Sequence, residues 1–159
     1  VSLALGFYGA FILNQSYISK VTEALFLFQM IEEGLKQCIG LSHEIIAATT
    51  PKPVTYKINK DSIKNSALGG LVKMYSLVSS NDDLIKKLRE VERWRNFCAH
   101  NAYLHEYFSR KNSSPYSTHT EDDIDKVLLH TKELLAFLNE DVKKLTSLHS
   151  ENVSHPFSI

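Results

Sequence analysis

The sequence has little of several things that usually announce a function. It holds two cysteines, Cys38 and Cys98, with four prolines, six glycines and a single tryptophan in 159 residues. Two thiols cannot build a disulfide framework, and a chain of this length can bury its own core, so a reduced cytoplasmic protein is expected. Charge of one sign is lacking too: 18 Lys+Arg balance 18 Asp+Glu, which removes the whole-protein field of a non-specific duplex-DNA coater. The apolar opening run from Val1 to Leu13 has no basic flank and falls short of the roughly 20 residues a membrane span needs, so no membrane partner is expected. It reads as a buried N-terminal helix, or one covered by a partner subunit.

Chemical signatures are equally sparse. There is no glycine-rich phosphate loop, no Cys-x-x-Cys pair and no nucleophile elbow. Besides His100, the histidines are His43, His105, His119, His130, His149 and His155. His100 and His105 are five apart, which is wrong for two ligands on one helix face, and no Glu-x-x-His occurs. Neither a metal nor a cofactor is therefore expected.

What is present is helical periodicity. Apolar residues recur at three-and-four spacing from Val21 to Ile46, and the helix should end near Thr50, ahead of Pro51. A shorter pattern runs from Ile63 to Val78, weakened by Gly69-Gly70, which reads as a close helix contact rather than a nucleotide cradle. Ser79-Ser80-Asn81 should supply a turn and a cap for a helix from about Asp82 to Phe108, since Asp82 and Asp83 fit its first turn and no Gly or Pro interrupts it. After a polar loop over 109–120, Thr120 and Asp123 form a capping box for a last helix carrying Ile124 to Leu148, followed by a polar tail from Ser150. No segment alternates with period two. The expected fold is all-α: one domain over 1–159, with its core at about 20–148 in a bundle of four or five helices, neighbours mostly antiparallel.

One residue does not fit its face. Around the third long helix, Leu84, Leu88, Val91, Cys98 and Ala102 make an apolar stripe, and Arg95 falls in its middle. A guanidinium keeps its charge, so an acidic group such as Glu32 or Glu33, or an anionic ligand, should meet it. Arg89, Arg93, Asn96, His100, Tyr103 and Tyr107 line a polar stripe on another face, and Phe97, Leu104 and Phe108 form a second apolar patch. Apolar patches on two sides imply a second cover, for which another copy of the chain is the expected candidate.

Arg95-Asn96-Phe97-Cys98-Ala99-His100 resembles the Arg, polar residue, three residues, His motif of the HEPN superfamily, helical-bundle proteins that include many metal-independent endoribonucleases. The likeness of order and spacing covers about residues 20–148. It implies that Arg95 and His100 are a catalytic pair with Asn96 as a positioning residue, that the site forms across a homodimer, and that RNA is the substrate. A toxin or defence role with a neutralising antitoxin partner would follow the same likeness. Some toxin members carry Tyr two residues after the His, where this chain has Ala102, with Tyr103 one later.

The residue chemistry suits that reading. RNA supplies its own 2′-OH nucleophile, so cleavage needs a proton acceptor or donor near neutrality, which is histidine's range, and a cation for the phosphorane. An arginine fork fits the phosphate, with Arg89, Arg93, Tyr103 and Tyr107 as candidate substrate contacts. Arg95 and His100 point about 140° apart on an ideal helix, which favours a site shared by two chains. A non-catalytic helical interaction module is the alternative. The neutral total also hides a division: Lys52 to Lys111 holds 12 Lys+Arg against 6 Asp+Glu, a local balance of +6, and the remainder carries −6. The motif lies in the basic segment.

Overall fold

The computed structural model describes residues 14–109 and 119–153, and all the regular structure among them is helical. Six helices follow in order: α1 (Gln15–Thr49), α2 (Lys60–Asn65), α3 (Leu68–Tyr75), α4 (Asp82–His100), α5 (Ala102–Ser109) and α6 (Glu121–Val153). The expected apolar N-terminal helix over 1–13 and most of the loop before Thr120 lie outside the described residues, as does the tail beyond Val153. Up to Val153 that tail is helix, so α6 runs past Ser150.

Local signals account for the ends. Asn14 caps α1, its Oδ1 accepting from the amides of Ser16 and Tyr17 at 3.0 and 3.3 Å, which starts the helix earlier than its apolar pattern. Thr50 turns extended ahead of Pro51, as the proline requires. The capping box before α6 is reciprocal: the Thr120 amide donates to Asp123 Oδ2 at 2.8 Å, and the Asp123 amide to Thr120 Oγ1 at 3.4 Å. The Ile63–Val78 pattern is two helices rather than one. Ser66 and Ala67 are extended, and the Ser66 hydroxyl donates to the Ser62 carbonyl at 2.7 Å, competing with the helix for backbone partners.

The core gathers Val21, Phe28, Ile31, Leu35 and Ile39 from α1, Leu71 and Tyr75 from α3, Leu88 and Val91 from α4, and Ile124, Leu134 and Leu138 from α6, all essentially inaccessible. The most extensive helix contact joins α1 to α6. Their pairs advance together: Lys20 with Glu121 and Asp125 at 3.0 and 2.7 Å, Glu23 with Lys132 at 2.7 Å, and Glu44 with His149 at 2.9 Å. The two long helices, separated in the chain by four others, are thus parallel. α4 lies antiparallel to both, its start beside Phe137 and its end near Tyr17 and His119. At Gly34 the α1 backbone comes so close to α6 that an added Cβ would lie 2.7 Å from Leu138 Cδ2. Gly69 is likewise a close contact, where a Cβ would collide with the Glu92 carboxylate of α4.

Two predictions follow from this packing. Leu138 is fully buried and cannot swing away, so Gly34→Ala should cost about 1–3 kcal/mol in urea unfolding despite alanine's better helix propensity. Hydrogen bonds from Ser16 and Lys20 lower the Glu121 pKa, and those from Thr120 lower that of Asp123. A depressed folded pKa gives stability that is present above the usual carboxylate range and lost as pH falls through the folded value. Glu121→Gln should flatten the acid side of the stability profile between those limits.

Candidate active site on the outer face of α4

α4 starts where expected, with Asn81 Oδ1 accepting from the Leu84 amide at 3.2 Å and Asp82 and Asp83 in the first turn. It does not continue to Phe108. Asn101 leaves helical geometry (φ −120°, ψ −24°), and a second helix, α5, begins at Ala102. The backbone bonds bridge the break, since the Asn101 amide donates to the Phe97 carbonyl and the His105 amide to the Asn101 carbonyl, both at 2.8 Å. Asparagine is a weak helix former whose side chain tolerates such a site. The turn also buries Ala102 and His105.

This break divides the polar stripe. Arg89, Arg93, Asn96 and His100 are exposed together on the outer face of α4. Tyr103 and Tyr107 are on α5: the Tyr103 hydroxyl is 3.2 Å from Thr22 Oγ1 of α1, and the Tyr107 ring meets Phe108 edge-on at 5.3 Å. The expected apolar stripe is intact, with Leu84, Leu88, Val91, Cys98 and Ala102 all buried.

Arg95 meets the acidic partner its position demands. Its Nε is 3.6 Å from Glu32 Oε1 on α1, the two side chains 29% and 18% exposed. Glu33 pairs instead with Lys36 at 2.7 Å. From the same guanidinium, Nη1 donates to Asn96 Oδ1 at 3.4 Å, a long bond that ties the half-buried arginine to the exposed face. Arg95, Asn96 and His100 line none of four surface clefts found among the described residues. Asn96 and His100 are exposed and Arg95 is half-buried.

The second apolar patch is covered partly by the chain itself. Phe97 packs against the rings of His119 at 4.4 Å and His105 at 6.1 Å, and Trp94 adds contacts to Phe97 and His119 at 6.0 and 4.8 Å. Leu104 is 46% exposed. The Trp94 and His119 contribution was missed from the sequence; the i,i+3 spacing of Trp94 and Phe97 was its one local signal.

Other chemistry is limited by burial. Desolvation pushes the Cys98 thiol up to about 11 and the Cys38 thiol to about 12, so neither is a ready nucleophile. Among the described residues no group of three or more His, Cys, Asp or Glu is placed to hold a metal ion. Among them, too, no helix is long and apolar enough to cross a membrane.

A double-mutant cycle on Arg95→Ala and Glu32→Ala should give a coupling of about 0.5–1 kcal/mol in urea unfolding, the range for a partly exposed pair. Additive losses would mean that the pair contributes nothing in solution. In the native chain, Cys38 and Cys98 should resist iodoacetamide at neutral pH and react at the rate of unfolding. No protein-family model, curated protein or solved structure matches the chain.

Proposed function

We propose that the protein is a metal-independent endoribonuclease of the HEPN type, working in the cytoplasm as a homodimer and without a cofactor. The observation that carries this is the joint exposure of Asn96, His100, Arg89 and Arg93 on one face of α4, with Arg95 linked to that face through Asn96. Such a face offers guanidiniums to a phosphate backbone and an accessible imidazole to its ribose.

In the proposed reaction the 2′-OH attacks the neighbouring phosphorus, the O2′–P bond forms and the P–O5′ bond breaks. The 2′ proton goes to a base, the departing 5′ oxygen gains a proton, and the products carry 2′,3′-cyclic phosphate and 5′-hydroxyl ends. His100 serves one of these transfers. Two copies meeting through their α4 faces would bring a second imidazole for the other, with Arg95 and Asn96 turned to the phosphorane. Exposed Leu104 would give such an interface an apolar contact. A toxin or defence role fits an enzyme of this kind, and a neutralising antitoxin would need only to cover the α4 face.

The Arg95–Glu32 pair favours a second reading, in which Arg95 is structural and the chain is a helical partner-binding module. The two readings separate on purified protein incubated with RNA in EDTA. Cleavage should persist in the chelator and leave cyclic phosphate ends, and His100→Ala should lower the rate by about 10²–10⁴ with circular dichroism unchanged. Glu32→Gln, which frees the guanidinium, should preserve cleavage. No cleavage by a clean dimer would select the binding module.

A further inference from the structure

Every lysine of α6 is matched: Lys126, Lys132, Lys143 and Lys144 each have a carboxylate at 2.7–3.9 Å. On α4 the half-buried Lys87 lies over the Phe137 ring, its Nζ 4.7 Å from the centroid. Lys86, Arg89 and Arg93 differ. All three are exposed, and none is paired with a carboxylate among the described residues.

Helix geometry puts these three cations in one row with Asn96 and His100. At a rise of about 1.5 Å per residue the cations span about 10 Å of the α4 axis, and His100 follows about 10 Å beyond Arg93. Glu90 and Glu92 fall about 80° to either side of the row. Glu90 is exposed, and the Glu92 carboxylate lies against Gly69 of α3. Asp82 closes the row at the start of α4. The positive strip is therefore one side chain wide, bounded by carboxylates at both flanks and at the end away from His100. The outer face of α6 has the opposite sign, with Asp122, Glu133 and Glu140 exposed along it, so the strip does not continue there.

A narrow line of unpaired cations suits a single line of negative charge. A stacked nucleic-acid strand carries one phosphate per roughly 3.4 Å, so the stretch from Lys86 to His100 matches about six nucleotides. An A-form duplex would instead offer two phosphate rows across its wide minor groove, and the second row would meet Glu90 or Glu92 rather than a cation. We infer that α4 is a track for one unpaired RNA strand, which lies along the helix axis with successive phosphates on Arg93, Arg89 and Lys86 and its reacting ribose at His100. The inference rests on the endoribonuclease reading for its choice of RNA. It adds the substrate form, a single strand, and a length of about six nucleotides running from His100 toward the start of α4.

Fluorescein-labelled 2′-O-methyl oligouridylates, which lack the free 2′-OH and cannot be cleaved by it, test the track by anisotropy. With the unaltered chain, affinity should rise up to a length of about six nucleotides and change little beyond, and log affinity should fall against log salt with a slope of about −2 for three phosphates neutralised. Arg89→Gln and Arg93→Gln, with circular dichroism unchanged, should each weaken binding about threefold or more and reduce the slope by about 0.7. Lys143→Gln, on α6, should change neither. No binding at any length, a slope unmoved by both arginine substitutions, or equal affinity for the same oligonucleotide paired with its 2′-O-methyl complement would overturn the inference. Cleavage of unmodified RNA measured alongside keeps the two proposals apart. Cleavage indifferent to both arginine substitutions removes the track and leaves the enzyme, whereas arginine-dependent binding without cleavage removes the enzyme and leaves the track.

Discussion

The parallel packing of α1 on α6 is the constraint from which the other placements descend. Parallel helices bring two positive N-terminal ends together, an arrangement their macrodipoles oppose. The structure meets this with carboxylates. Glu106 accepts from the Asn14 amide at 3.2 Å, Glu121 binds Ser16 and Lys20, and Asp122 and Asp123 fill the first turn of α6. Farther along, Gly34 lets the two backbones close to within reach of Leu138. With the long pair joined on one side, α4 packs antiparallel against it, and its remaining face is left to solvent.

That outer face is where the local rules conflict. Arg95 is placed by helical periodicity among buried neighbours, and the fold accommodates it by bringing Glu32 from α1 rather than by removing the charge. The same guanidinium reaches Asn96, so one side chain joins an ion pair within the bundle to the exposed polar surface. Asn101 then ends the helix one residue after His100, which leaves the imidazole in the last turn of α4. The tyrosines beyond the break are carried onto α5, toward α1.

Much of the fold was legible in single residues. Asn81, Thr120 with Asp123, and Pro51 each act within a turn of their own position, so the boundaries they control appear where the sequence implies. The two misjudged helices share a cause. Ser66 and Asn101 are not Gly or Pro, and their effect depends on whether the side chain or the buried face competes better with the helix, which is a tertiary matter. The partner of Arg95 was legible because a buried charge restricts its options, whereas the Trp94, Phe97 and His119 cluster joins α4 to the start of α6 across a loop, and no local spacing encodes it.

The sequence by itself determined that the chain is helical, which faces of its helices are apolar, and that an arginine in the apolar stripe of α4 needs an acidic neighbour; these follow from periodicity and the cost of desolvating charge, both properties of nearby residues. Only the tertiary structure decided that α1 and α6 run parallel, that the stripe from Arg89 to Tyr107 is cut at Asn101, and that Trp94 and Phe97 of α4 meet His119. Each depends on groups distant in sequence meeting at fixed separation, and helical periodicity carries no information about which distant faces will meet.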